Sequence, residues 1–499
     1  MFSILLTFIA GALILLIFYL LVRFTYWKRN GIPTARGCYP FFGHMLPVLT
    51  LNTSMSDVVR KVYDDYQNCS MVGIYKVTQP ALIIRDPNLI RSVLISNVSS
   101  FHKNAMESNP NVDSLINNHP FFNDGEVWLT GRKHLTYAFS GSRLRNLFIA
   151  ISGVCKKFQR FIDRQLEKDN KYDVEFKYLF TKFTGEVVAN AGLGIEGRCF
   201  EDEDHPTAFD QIGRAVFKTS LFDRFVILVL TLFPKLNRLM KIDVVPKDVD
   251  QLFRGIVDEY LSMKEKESTP RFDFLHLMME LEKTGEKVDK NALASHAFTF
   301  YADGLETSSI TLSYVGYQLA VHQDVQKKLR DEVKSMIEKH GELTYDALAE
   351  MKYMEQVINE SQRCYPAADM LQKSCTKECV LEGPDGLSCR VKPDTHIILP
   401  LGSLQSDSKY WPDPQTFDPE RFNPERKQTI EKMAFLPFGD GPRMCVGMRL
   451  AMLQMKACLA TLVNNYKLEL SPKTKLPFKT ITVFELILPV GLRVQISKL

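Results

Sequence analysis

The sequence lacks the marks of several large classes of protein. Its ten cysteines contain no CxxC pair and no regular spacing, so a disulfide framework is excluded and reduced thiols are expected. Its ten histidines include no HExxH arrangement, and no zinc site is read. The formal charge of +4 is too small to point to nucleic acid as a partner. No Ser/Gly-rich linker, acidic run or repeat divides the chain after its N-terminal region. One large domain is therefore expected, and a hydrophobic content of 45% is ample for its core.

What is present begins with an uncharged, mostly apolar run over residues 2–22, long enough to cross a bilayer. Arg23, Lys28 and Arg29 follow it and no charged side chain precedes it, which keeps that flank cytosolic. The run is too long for the apolar part of a cleaved signal, and it lacks a basic leader and a small-residue cleavage site. Gly31, Pro33, Gly37, Pro40 and Gly43 then form a stiff, turn-rich stretch. The chain divides into a transmembrane signal anchor at 1–22, a basic and Pro/Gly hinge at 23–45, and a main domain at 46–499.

The main domain is organised around residues 438–447. Gly439, Asp440, Gly441 and Pro442 are turn formers, so this is a tight loop. Directly after it Leu450, Leu453, Ala457 and Ala460 repeat at helical spacing. Cys445 thus lies at a helix N-terminus, where unpaired N–H groups and the helix dipole favour an anion, and easy ionisation of the thiol is expected. A soft thiolate held alone on such a loop suits an axial position of haem iron. A buried cysteine in a glycine turn is the plainer alternative.

The full pattern Phe438, Gly441, Arg443, Cys445 and Gly447 resembles the haem loop of cytochromes P450. Four more motifs follow the order of that family. Trp128 and Arg132 stand four apart, on one face of a helix. Residues 291–320 read as a helix apolar on most faces, interrupted by Asp303, Gly304, Glu306, Thr307 and Ser308. Such polar groups inside a buried helix break the local rule, as functional sites do. Glu360 and Arg363 are three apart on a helix stopped by Pro366, and Arg421 follows within Phe417-Asp-Pro-Glu-Arg-Phe422.

The resemblance implies a mainly α fold with a small β region, preceded by the transmembrane helix, with 46–499 as the catalytic domain. It implies haem b with Cys445 as its iron ligand, Phe438 shielding the sulfur, and Arg443, Trp128 and Arg132 reaching the propionates. Gly304 widens the helix over the distal face, Thr307 handles dioxygen and Glu306 relays protons. Glu360, Arg363 and Arg421 form a structural triad. Three positions depart from the pattern. Asp303 stands where Ala or Gly is usual and is expected to turn toward a polar partner. Lys373 replaces a propionate-binding Arg, and Gln405 replaces a His; both are expected to weaken haem contacts.

The activity implied is insertion of one atom of O2 into a small apolar substrate. Electrons come from NADPH-cytochrome P450 reductase, with cytochrome b5 as a second donor, on the cytosolic face of the endoplasmic reticulum. Lys133, Lys432, Arg449 and Lys456 are candidates to meet the reductase. Residues 187–217, with Gly194-Ile-Glu196, look most like insect detoxification-type families. Residues 101–124, 221–239, 298–307, 366–371 and 481–489 are the expected pocket segments, and 221–239 is also expected to dip into the membrane surface. Two other functions fit the same fold: a peroxide isomerase or dehydratase, and a membrane-bound carrier of haem or a hydrophobe.

Overall fold

The computed structural model describes residues 2–106, 113–116, 118–201, 209–216, 220–233, 245–264, 273–281, 285, 288–483 and 485–499. The apolar N-terminal run forms a helix, Phe2–Phe24, whose membrane-length window has none of its surface buried in the protein. The segment read as a hinge lies against the main domain. Trp27 is fully buried, donates from Nε1 to the Ile74 carbonyl at 2.8 Å and covers Gly73. A Cβ on Gly73 would lie 2.3 Å from the indole, so only glycine lets the ring seat there.

A five-stranded sheet receives this region. Its order is Met71–Lys76, Gln79–Ile84, His396–Leu399, Leu371–Ser374 and Lys103–Asn104. All neighbours are antiparallel except Gln79–Ile84 with His396–Leu399. The Gln79–Ile84 strand is entered through Val77 at φ 58°. A three-stranded antiparallel sheet joins Tyr172–Glu175, Arg493–Lys498 and Tyr466–Leu470 at the other side of the domain.

Helices make up the rest of the core. The Lys290–Val321 helix starts at Asp289, whose carboxylate accepts from the Ala292 N–H, and runs through the main apolar cluster. It packs on Phe176–Val187, Lys352–Cys364 and Met448–Asn465. From Leu293 to Ala320 nearly every side chain is buried, as a helix apolar on most faces requires. The exceptions include Asp303, Gly304 and Thr307 in mid-helix. The helix is α throughout, and the Thr307 hydroxyl donates to the Asp303 carbonyl at 2.6 Å.

The apolar stretch at 221–239 gives the helix Leu221–Leu232. Leu228, Leu232 and Phe233 pack beside Met45 and Val48, while Phe225 stays exposed. Residues 234–239 of that stretch, and 107–112, 117 and 484 of the other expected pocket segments, lie outside the described residues.

Candidate active site

The Cys445 loop is shaped by three constraints. Gly439 and Gly441 adopt φ of 70° and 74°. A Cβ on Gly441 would fall 2.2 Å from the Leu94 carbonyl oxygen, so a side chain there would push the loop off the domain. The Cys445 N–H donates to the Phe438 carbonyl at 2.8 Å and closes the loop, leaving Phe438 half-buried against the core. The helix that follows begins at Met448, and the thiol takes hydrogen bonds from the Gly447 and Met448 N–H groups.

Those two donors do not make the thiol ionise easily on its own, contrary to the expectation. Burial pushes the Cys445 thiol up to about 11, against the pull of the backbone donors and of Arg132. The thiol nevertheless has accessible surface, so the space it faces is internal to the protein. Asp303 lies across that space, close enough for its charge to help raise Cys445. A thiol and a short polar window on the central helix therefore face one another through an enclosed gap.

Cations surround the gap. Arg443 donates to the carbonyls of Pro120 and Asn123, both at 2.8 Å, and its guanidinium lies 4.1 Å from the Trp128 ring centre. Its Nε is buried without a hydrogen-bond partner. Burial, together with neighbouring Arg132, brings Arg443 down to about 10 despite the charge of Asp124. Arg132, on the same Gly125–Ala138 helix as Trp128, donates to the Met444 carbonyl and is also lowered by burial. Lys373 is 4% exposed and donates to the Asn104 side chain at 2.7 Å. Burial and the charge of Arg443 bring it down to about 7, with Glu485 pulling the other way. Among the described residues none of the three makes an ion pair with a carboxylate. Three cations, Lys373 buried and Arg443 and Arg132 half-buried, one with an orphaned donor, suit a ligand that carries two carboxylates beside the thiol, as haem does.

The residues of the central helix separate. Gly304 and Thr307 lie in the window with Asp303. Glu306 does not. It is 3% exposed, turned to the Phe176–Val187 helix, and bonded to the Lys177 ammonium at 3.0 Å. Ser308 is buried and accepts from the Gln454 side chain at 2.7 Å.

Glu360, Arg363 and Arg421 form one buried cluster. Arg363 makes two 2.8 Å bonds to Glu360, and Arg421 Nε reaches Glu360 Oε1 at 3.3 Å. The remaining donors go to carbonyls of Gln405, Pro412 and Asp413. Gln405 therefore braces this cluster, since its own amide also donates to the Gln362 carbonyl. The expectation that it weakens a haem contact is corrected. Lys456 is likewise reassigned: it is 7% exposed and bonded to Glu355 and to the carbonyls of Leu348 and Met351, so it offers no docking charge. Lys133, Lys432 and Arg449 remain exposed. Sequence reasoning missed His119, whose imidazole reaches Asp303; a lone histidine in an irregular segment carries no spacing signal.

A family model described as Cytochrome P450 matches residues 33–493. The curated relatives include cytochrome P450 6a2 of Drosophila melanogaster, 32% identical, with 92% of each chain covered. They also include probable cytochrome P450 28d1 of the same fly, 32% identical over 94% of this chain and 93% of the relative. Cytochrome P450 6j1 of Blattella germanica is 31% identical over 93% and 91%. Nothing in these similarities supports an isomerase or a carrier.

Proposed function

This chain belongs to the cytochrome P450 family and is a haem monooxygenase, and we propose from that premise how its own residues serve the reaction. The observation that carries the proposal is the pair of facing features: the Cys445 thiol on one side, and Asp303, Gly304 and Thr307 on the other. Cys445 would hold haem b, with Arg443, Arg132, Lys373 and Trp128 available to its carboxylates and Phe438 packed beside the loop. Haem held there supplies the reductive use of O2 and the transfer of one oxygen atom to substrate.

The protein orients the substrate, limits water and delivers protons. Thr307 is the hydroxyl nearest that work, because it shares the window with Asp303. Glu306 is held by Lys177, so its part in proton delivery requires that ion pair to open. Glu360, Arg363 and Arg421 hold the scaffold behind the haem loop. The substrate is a small apolar molecule, either xenobiotic or an endogenous hormone, terpenoid or lipid.

Electrons reach the site from NADPH through P450 reductase, with cytochrome b5 as a second donor. Lys133, Lys432 and Arg449 are the basic groups offered to those partners. The Phe2–Phe24 helix anchors the enzyme in the endoplasmic reticulum membrane, with residues 46–499 on the cytosolic side.

Reconstitution with reductase tests this reading. Turnover of an apolar substrate panel is expected to require NADPH and reductase. Thr307→Ala is expected to keep haem but release peroxide in place of much of the product. Product formation without NADPH, or unchanged coupling in Thr307→Ala, would contradict it.

A further inference from the structure

Asp303 is the acidic side chain that the central helix presents to the cavity. Its side chain is 59% exposed within an otherwise buried stretch, whereas Glu306, one turn on, is enclosed and neutralised by Lys177. The spacing explains the split. Around a helix of 3.6 residues per turn, Thr307 lies about 40° to one side of Asp303, while Glu306 lies about 60° to the other side and about 100° from Thr307. Only the first pair shares the window.

The partner of Asp303 is His119, 3% exposed, with Nε2 3.4 Å from the Asp303 carboxylate. The other ring nitrogen of His119 accepts the Phe121 N–H at 3.2 Å. With Nδ1 accepting, the Nε2 side of the ring is the one directed at the carboxylate. His119 is also not free to swing away. Arg443 holds the carbonyls of Pro120 and Asn123, the Asn123 amide holds those of Ile116 and His119, and Asn104 holds that of Phe121 at 2.8 Å.

No lysine or arginine makes an ion pair with Asp303 among the described residues. Arg443, Arg132 and Lys373 are bonded to other groups and belong to the propionate end of the cavity. A carboxylate open on one side and met by a single imidazole nitrogen on the other has room for a cationic partner. Only one of its oxygens faces His119.

We propose that Asp303, braced by His119, anchors lipophilic ammonium ions, so that this enzyme takes apolar substrates bearing a basic nitrogen and seats that nitrogen one turn from Thr307. This rests on the reading of the cavity as the haem-side substrate pocket. It narrows the substrate from apolar molecules in general to those with a cationic head.

The test measures binding to the haem-loaded full chain by calorimetry, with no turnover involved. Two probes are used: phenylbutyltrimethylammonium, and the neutral hydrocarbon in which carbon replaces its nitrogen. The quaternary nitrogen has no lone pair and cannot ligate iron. Asp303→Asn is expected to weaken the cation by about tenfold or more, as loss of one charge interaction in a partly enclosed site would do. The hydrocarbon should change by less than about twofold. Asp303→Glu should retain the preference for the cation. A cation affinity unmoved by Asp303→Asn, an equal change for both probes, or no cation binding to a protein with a normal ferrous carbonyl Soret band would each overturn the proposal. Absence of that band in the wild type would instead overturn the haem-thiolate reading beneath it.

Discussion

Two groups of cations, one buried and one wholly or partly so, lie within the same domain and differ in one respect. Arg363 and Arg421 converge on Glu360, and their remaining donors are spent on carbonyl groups. Arg443, Arg132 and Lys373 converge on a cavity and meet carbonyls and an amide, with no carboxylate in an ion pair among the described residues. The first group is closed to any ligand. We propose the second as the receptor for acidic groups that come from outside the chain. Burying a charge is tolerable only with a partner. The contrast thus separates scaffold from site without reference to any motif.

Breaking the closed group should have the larger effect. Glu360→Gln leaves two guanidinium ions buried against a neutral amide, at a cost of about 3–5 kcal/mol. Chemical denaturation should show that loss, and haem incorporation should fall with it. If Glu360→Gln is as stable as the wild type, the cluster is not structural. Opening the receptor further should cost cofactor and not fold. Arg443→Ala is expected to release haem about 10–100-fold faster to an apoprotein acceptor. Its denaturation midpoint without haem should stay near that of the wild type. A change of the same size in both measurements would erase the distinction between the two groups.

Lys373 gives an effect that is small per pH unit and of defined sign. Its ordinary value is 10.5, and burial lowers it to about 7 in the folded protein. Between those values the unfolded chain holds the proton more tightly, so this residue makes stability rise with pH from about 7 to 10.5. Comparison of haem-free wild type with Lys373→Met should isolate a slope of about 1.4 kcal/mol per pH unit in that window. Haem carboxylates beside Lys373 favour its charged form, so the slope difference should shrink in the holoprotein. An equal slope with and without haem would place the propionates elsewhere.

The parts of the molecule that were legible in the sequence are those fixed by local pattern. Turn residues mark the Cys445 loop, the apolar run at 2–22 gives the Phe2–Phe24 helix, and the apolar periodicity of 291–320 gives Lys290–Val321. Local pattern does not report what stands opposite a residue. Glu306 matches its motif by position, yet it meets Lys177 on a helix more than a hundred residues earlier in the chain. Gln405 and Lys456 look like free polar groups in sequence and are bound by partners distant in the chain. His119 gains its place only when its turn is clamped by Arg443. The ionisation of Cys445 was misread for the same reason. Two backbone donors are visible from the helix start, but the enclosure that opposes them is tertiary.

Cys445 carries the central claim, and the absorption of the ferrous carbonyl complex tests it most directly. The wild type is expected to show the strongly red-shifted Soret band that a thiolate opposite carbon monoxide produces. Cys445→Ala should lose haem, or retain it without that band, because no other thiol shares the cavity loop. A red-shifted band persisting in Cys445→Ala would contradict the account.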